Sequence, residues 1–302
     1  VVVLVVAGLV APSGRDVGSI DVAVVQGGGP RGLRAVDNPS ARGLEAALAA
    51  TERLRPGVDL VVWPESAVTV VGAVAGSPED ETVGAAARRL GTTLVAGVVE
   101  REGDRFRNLA VAWGPDGRRI DAYEKNQRVP FGEYVPWRSL VGRFADLRAV
   151  PRDARIGEGT GLLATPAGEL GVVVSYEVFF PRRVRAAVRA GGEVLLVPTN
   201  ASSYPTTQMP ALELAAARLR ALETGRAVVQ AAPTGFSALV GPDGAVRQQS
   251  DLGAPAVLTG RVERRTGATP YTRAGDTPIV ALAGAALAGA WLLNRRGPPA
   301  GG

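Results

Sequence analysis

The sequence predicts an α/β fold in which a mixed β-sheet is covered by helices, with an apolar segment at each end of the chain. Short β-branched runs alternate with amphipathic stretches, which is typical of strands and helices packed in layers. Strands outnumber helices, and Gly-Pro-Asp-Gly turns at 114–117 and 241–244 resemble hairpin connections beside the βα units. That combination favours a mixed sheet over a purely parallel one. Because we find no low-complexity linker, we expect one domain over residues 15–275.

The first half of this domain alternates apolar strands with helices rich in alanine and leucine. We predict strands at Asp21–Gln26, Asp59–Trp63, Thr93–Val99 and Asn108–Trp113, and helices at Ser40–Leu54 and Pro78–Leu90. The second half repeats the pattern with shorter elements. Its predicted strands are Gly171–Val174, Val194–Val197, Ala227–Ala231, Phe236–Val240 and Val257–Val262, and its predicted helices are Pro181–Ala190 and Pro210–Thr224.

The two ends of the chain indicate a membrane. Residues 1–10 are wholly apolar and lack the basic segment of a secretory signal, so we interpret residues 1–12 as the end of a transmembrane helix. Ile279–Leu293 carries no charge and is followed by Arg295 and Arg296, which predicts a C-terminal transmembrane helix over residues 277–294. Basic residues favour the cytoplasmic side of a membrane, so the two arginines predict a cytoplasmic C-terminus and residues 15–275 on the outer side. A buried strand and a buried terminal helix are the alternatives.

The composition excludes several classes of chemistry. The chain has no histidine and no cysteine, so Ser-His-Asp and Cys-His nucleophiles, His/Cys zinc sites and disulfides are all impossible. We therefore expect neither a metal nor a cofactor. The net charge of +5 is spread along the chain without a long basic block, so we expect no nucleic-acid partner. Lys125 is the only lysine among 34 basic residues, and this suggests a site that needs a compact ammonium group.

Polar side chains that could carry chemistry follow three predicted strands. Reactive groups in α/β proteins collect where strands end, and here the strand ends hold Glu65, Lys125 and Ser175. Each one taken singly has a simpler interpretation, since an acid or a serine after a strand is commonly a turn or cap residue.

Together these segments resemble the nitrilase superfamily of carbon–nitrogen hydrolases, and more closely its membrane branch, the apolipoprotein N-acyltransferases. The resemblance extends from Asp21 to Asp276. It is carried by VVWPES, YEKNQRVPFGEYVPW, SYEVFFP, ARLRALETGRAVVQAAPTGFSALVGPDG and TPYTRAGD. It implies an αββα sandwich inserted between transmembrane helices, on the outer face of the bacterial inner membrane.

The resemblance also implies a role for each matching residue. Glu65 corresponds to the general base and Lys125 to the cation that stabilises the oxyanion, while Ser175 stands where the family has its cysteine nucleophile. Supporting positions around this triad are Glu133, Tyr176, Glu177 and Asn108.

A serine at position 175 changes what the site must do. A hydroxyl ionises far less readily than a thiol, so its proton has to be removed during attack. Without histidine, this falls to Glu65, whose pKa must be raised by burial against the effect of Lys125. Ser175 is open to three interpretations: a native nucleophile, a Cys→Ser substitution, or the mark of an inactive homologue.

The function implied by the resemblance is acyl transfer in two steps through an acyl-enzyme. A phospholipid gives its acyl chain to Ser175, and the N-terminal amine of a diacylglyceryl-cysteine on an apolipoprotein then takes it. Phe131, Tyr134 and Trp137 lie among prolines in one loop, and a second stretch adds Phe144, Leu147 and Val150. We expect these loops to contact the bilayer, with an ordinary packed surface loop as the alternative.

Two other functions fit the same sequence. One is a nitrilase-type amidase that acts on small amides, and the other is a non-catalytic membrane-bound homologue. Acyl-chain preference and headgroup preference do not follow from the residues.

Overall fold

The computed structural model describes residues 13–32, 40–148, 150–204 and 206–295. Two mixed β-sheets pack face to face in it, and helices cover the outer side of each sheet. The αββα arrangement expected from the resemblance is therefore confirmed. The apolar segment 1–12 lies outside the described residues.

The first sheet comes from the N-terminal part of the chain and is closed by a strand from its C-terminal part. In the described residues its strands are β1 Arg15–Gln26, β2 Leu60–Val62, β3 Val68–Val71, β4 Thr93–Glu102, β5 Arg105–Trp113, β6 Arg119–Glu124, β7 Asp153–Ala154 and β14 Ala256–Thr266. Their order is β14-β1-β2-β4-β5-β6, with β3 beside β4 and β7 beside β5. Strands β1, β2 and β4 run parallel, as do the pairs β3–β4 and β5–β7, whereas the pairs β14–β1, β4–β5 and β5–β6 are antiparallel.

The second sheet contains β8 Leu162–Thr165, β9 Gly168–Val172, β10 Val194–Pro198, β11 Val228–Ala231, β12 Ala238–Val240 and β13 Val246–Gln249. Its order is β13-β12-β11-β10-β9-β8, with a parallel centre of β9, β10 and β11. Buried side chains from both sheets, including Val24, Val62, Val172 and Leu196, form one apolar layer between them.

The helices cover two further apolar layers on the outer faces. The described helices are α1 Ser40–Thr51, α2 Pro78–Leu90, α3 Arg138–Val141, α4 Pro181–Arg189, α5 Gln208–Thr224, α6 Pro270–Ala274 and α7 Thr277–Arg295. Helices α1 and α2 pack on the first sheet, and α4 and α5 pack on the second.

Helix α2 shows why the sequence places its boundaries so sharply. The Ser77 hydroxyl caps the first turn by accepting the Asp80 N–H at 3.1 Å, and Pro78 occupies the first helical position. Gly91 ends the helix in the left-handed conformation at φ 65°. The predicted bounds Pro78–Leu90 are confirmed.

Other predicted bounds were wrong by a few residues. The first helix stops at Thr51, since the N–H groups of Arg53 and Leu54 bond to carbonyls three residues back and not four, as in a tightening last turn. The strand predicted at Gly171–Val174 ends at Val172, since the chain turns there toward Ser175. Strands β3, β6, β7, β8 and β13 were not predicted. They contain two to six residues each, and β6 and β13 are largely exposed, so none shows a long apolar run.

Helix α7 is 19 residues long, and it is the one helix of the described chain that is long and apolar enough to cross a membrane. Its side chains are exposed, unlike those of a helix in a soluble core.

Candidate active site

A buried ammonium group joins two carboxylates at the centre of the site. The Lys125 Nζ lies 2.9 Å from Glu65 Oε1 and 2.8 Å from Glu133 Oε1. The Asn108 amide donates to the same two oxygens, at 2.7 and 3.0 Å. The structure thus brings together four residues that the sequence analysis singled out from separate segments.

Three of these side chains are positioned by the end or the middle of a strand in the first sheet, and Glu133 lies in a turn beyond β6. Glu65 follows β2, Lys125 follows β6, and Asn108 lies within β5. Gly97 in β4 lies directly against the backbone of Glu65, where a Cβ atom would approach the Glu65 Cα to 2.4 Å. A glycine is therefore needed at this position for the Glu65 segment to pack on the sheet.

Burial and charge act in opposite directions on this cluster. Burial, together with the nearby Glu133 charge, raises the pKa of Glu65 above its usual range, although Lys125 and Asn108 act to lower it. Burial alone would lower the pKa of Lys125, but the charges and hydrogen bonds of Glu65 and Glu133 outweigh it and raise that pKa. The lysine therefore stays protonated and can stabilise negative charge.

Ser175 lies in a strained turn just after β9. Its φ of 49° is in the left-handed region, which costs a non-glycine residue about 1–3 kcal/mol and is common at functional sites. A 3₁₀ turn over Ser175–Phe179 follows, and Ser175 itself is buried. This turn places Ser175 at the wall of the same cavity that Glu65 and Lys125 line.

Glu177 links this turn to the lysine segment. One carboxylate oxygen accepts the N–H groups of Asn126 and Gln127, each at 2.9 Å, and the other accepts that of Val174 at 2.9 Å. The Tyr123 hydroxyl donates to the same carboxylate at 2.8 Å. Glu177 is fully buried, so its contribution is to position the residues on both sides of it rather than to meet a substrate.

The hydroxyl of Ser175 donates to a residue that the sequence analysis did not single out. Its partner is Glu213 Oε1 at 3.2 Å, and the same oxygen accepts the Thr199 hydroxyl at 2.5 Å. Glu213 lies on the buried face of α5, among small and apolar side chains such as Leu214 and Ala217. An acid at a position of the helical pattern that faces the core was the available signal.

The cavity at the centre of the site has a volume of about 360 Å³. It is lined by Glu65, Asn108, Lys125, Glu133, Ser175, Tyr176 and Glu213, with apolar side chains such as Val99, Phe106 and Phe179. Tyr176 is held edge-on against Phe180, with ring centres 5.0 Å apart. Within the described ranges, no group of three or more acidic side chains is arranged to hold a metal ion.

The segment after Lys125 carries exposed aromatic side chains. Phe131 and Trp137 are 63% and 80% exposed, and both have positive φ angles. Tyr134 is half-buried under the Arg128 guanidinium, 4.2 Å from the ring centre. In the second stretch Phe144 is exposed and Val150 is buried, and contact of the two loops with the bilayer stays a prediction.

Comparison with known proteins identifies the family of this chain. The profile of the carbon–nitrogen hydrolase family matches residues 21–271. A protein of Mycolicibacterium smegmatis named apolipoprotein N-acyltransferase is 31% identical, over 94% of this chain and 51% of its own length. A protein of the same name from Geobacter metallireducens is 34% identical, over 79% of this chain and 46% of its own. The chain spans about half the length of these curated relatives.

Solved structures give the same fold. Nit3 of Saccharomyces cerevisiae, a member of the nitrilase superfamily, superposes with a TM-score of 0.60. The match covers 82% of this chain and 91% of that protein at 18% identity, so the likeness concerns the fold alone.

Proposed function

The chain belongs to the carbon–nitrogen hydrolase family, and from that premise we propose that it transfers a fatty acyl chain from a phospholipid to the N-terminal amine of a diacylglyceryl apolipoprotein. The observation that carries the proposal is a shared cavity. It is lined by Ser175, whose backbone is in the left-handed region, and by the buried Glu65–Lys125 pair. The names of the curated relatives support the choice of substrates.

In the first half-reaction the Ser175 oxygen attacks the carbonyl carbon of a phospholipid ester. The negative charge that develops on the carbonyl oxygen is stabilised by the Lys125 ammonium, assisted by the backbone N–H of Tyr176. Collapse of this intermediate releases lysophospholipid and leaves the acyl chain as an ester on Ser175.

In the second half-reaction the amine of the acceptor attacks that ester, and the bond from the carbonyl carbon to the Ser175 oxygen breaks. The acyl chain leaves as an amide, and the proton lost by the amine restores the Ser175 hydroxyl. Glu65 is the general base that takes the amine proton, because burial raises its pKa and so makes it a stronger base than an exposed carboxylate. An oxygen ester reacts with an amine more slowly than a thioester does, so this step limits the overall rate.

Access to both substrates comes from the membrane. We propose that α7 crosses the bacterial plasma membrane with its C-terminus in the cytoplasm and the catalytic domain on the outer side. The exposed Phe131 and Trp137 then enter the lipid interface beside the cavity, where Val129 and Gly132 from the same segment form part of its wall.

Mass spectrometry of the intact chain after incubation with phospholipid vesicles tests the proposal. An acyl-sized increase in mass that is lost in Ser175→Ala and discharged by a diacylglyceryl-cysteine peptide is the expected result. No adduct in the unmodified chain or in Ser175→Cys would refute acyl transfer and leave a non-catalytic membrane-bound homologue. Hydrolysis of small amides without any lipid adduct would identify an amidase instead.

A further inference from the structure

The proton of the Ser175 hydroxyl has a nearer acceptor than Glu65. The hydroxyl donates to Glu213 Oε1 at 3.2 Å, whereas Glu65 Oε1 is already occupied by the Lys125 ammonium and the Asn108 amide. Geometry comes first in identifying a general base, and the carboxylate already in contact with the nucleophile has the shorter path for the proton.

Glu213 is also placed unusually for a structural acid. It is only 3% exposed, and it forms no ion pair with any described residue. Its second oxygen, Oε2, is buried and has no hydrogen-bond partner within the described part of the chain. A buried carboxylate is costly unless it is fully satisfied, so this residue detracts from stability where it stands. Such a cost is typical of a group retained for chemistry.

The charges around the cavity favour uptake of a proton by Glu213. Three carboxylates, on Glu65, Glu133 and Glu213, line the cavity with the single ammonium group of Lys125, which contacts only the first two. Burial raises the pKa of Glu213 to about 7, with the charge of Glu65 adding to the rise and Thr199, Ser175 and Lys125 opposing it. A carboxylate with such a value accepts a proton near neutral pH far more readily than an exposed one does.

We propose that Glu213 is a catalytic residue of this chain, namely the general base that takes the proton of the Ser175 hydroxyl during acylation. The assignment rests on the proposed acyl transfer and replaces the role that the sequence analysis gave to Glu65 in this step.

The step balances without any further reactant. The Ser175 oxygen forms a bond to the ester carbonyl carbon as its proton moves to Glu213 Oε1. The bond from that carbon to the alkoxy oxygen of the donor then breaks, and Glu213 returns the proton to the departing alkoxide. Glu213 ends as a carboxylate and Ser175 carries the acyl ester. Thr199, which also donates to Oε1, orients the carboxylate throughout.

The need for this base depends on the nucleophile, and this provides the test. A thiol has a pKa near 8.5 and forms the nucleophilic anion with little help, whereas a hydroxyl does not. Glu213→Gln should therefore be harmful with serine at position 175 and nearly harmless in the Ser175→Cys chain. A purely structural role would harm both backgrounds equally.

The experiment measures the burst of p-nitrophenolate from p-nitrophenyl butyrate with the full chain in detergent micelles. We expect Glu213→Gln to slow the burst about 100-fold in the serine chain. In the Ser175→Cys chain we expect a loss of at most about threefold, because the thiolate needs no such base. Glu213→Asp should recover part of the rate. Glu223→Gln, on the same helix but outside the cavity and paired with Arg220 at 2.8 Å, is the matched control and should leave the burst unchanged.

The pH profile is the second readout. The Glu213 carboxyl faces two other titratable groups, Glu65 and Lys125, and the hydroxyls of Ser175 and Thr199. Glu213→Gln removes the ionisation of Glu213 and leaves those of Glu65 and Lys125 in place. The burst rate of the serine chain should rise as Glu213 loses its proton, and that rise should disappear in the variant.

Equal slowing in both backgrounds, no slowing in the serine chain, or no burst from the unmodified chain would each overturn the assignment. The proposed function fails separately. If phospholipid vesicles yield no adduct while the p-nitrophenyl ester burst still depends on Glu213 as expected, acyl transfer from lipid is refuted and the role of Glu213 stands.

Discussion

Replacing Glu213 by glutamine should make the protein less sensitive to alkaline pH. In the folded chain the pKa of this carboxyl is raised from 4.5 to about 7, mainly by burial. A folded-state pKa above the unfolded value means that the folded protein holds the proton more tightly. The stability that this proton provides is therefore complete below pH 4.5 and is lost as the pH rises through 7.

The magnitude follows from the size of the shift. A change from 4.5 to about 7 corresponds to about 3 kcal/mol of unfolding free energy, at about 1.4 kcal/mol per unit of pKa. Because Glu213 is almost fully buried, this value needs no reduction for solvent screening. Glutamine has nearly the same shape but does not titrate, so any constant effect of the substitution cancels when two pH values are compared.

Urea unfolding in micelles at pH 4 and pH 8 measures the effect. The unmodified chain should lose about 3 kcal/mol more unfolding free energy between these pH values than Glu213→Gln does. Glu52→Gln, at an exposed position on the surface, is the control and should follow the unmodified chain. Parallel pH curves for the unmodified chain and Glu213→Gln would show that Glu213 is not held protonated by burial, and would refute the reasoning.

Three further outcomes follow from other contacts. Gly97→Ala should abolish the p-nitrophenolate burst and lower the melting temperature, because the new Cβ would lie 2.4 Å from the Glu65 Cα. Gly289→Ala is the control and should change neither, since the space around Gly289 is open. A Gly97→Ala chain that keeps the burst would contradict this packing. Glu177→Gln should cost about 3 kcal/mol in urea unfolding, since an amide group would face buried N–H donors, and a loss below about 1 kcal/mol would show that Glu177 is not needed for the fold. Trp137→Ser should weaken binding to vesicles about tenfold in sedimentation with the p-nitrophenyl ester burst intact, and unchanged binding would remove this side chain from the lipid interface.

Much of the fold and part of the site could be predicted from the sequence. The central strands are apolar throughout because both of their faces are buried, so they stand out without any knowledge of the tertiary structure. Strand β13 could not be found in this way, because it is an edge strand of the second sheet and most of its side chains are exposed. Its pairing is a property of the sheet rather than of its own residues.

The residues of the candidate site likewise divide into those with a distinctive local sequence and one that only tertiary packing reveals. Glu65, Lys125 and Ser175 lie in segments whose local pattern is distinctive, and the only lysine of the chain draws attention to itself. Glu213 lies 38 residues from Ser175 in the middle of an alanine-rich helix, where its core-facing position is the one local signal and does not indicate which residue it meets. Only the packing of α5 against the turn after β9 brings the two together.

The position of Glu177 has a mechanical consequence. Tyr123, Asn126 and Gln127 belong to the end of the first sheet, and Val174 to the end of the second, yet all four donate to this one carboxylate. Separating the Lys125 segment from the Ser175 turn would therefore break hydrogen bonds to a fully buried carboxylate, which is costly. Glu177 thus resists displacement of the end of one sheet relative to the end of the other.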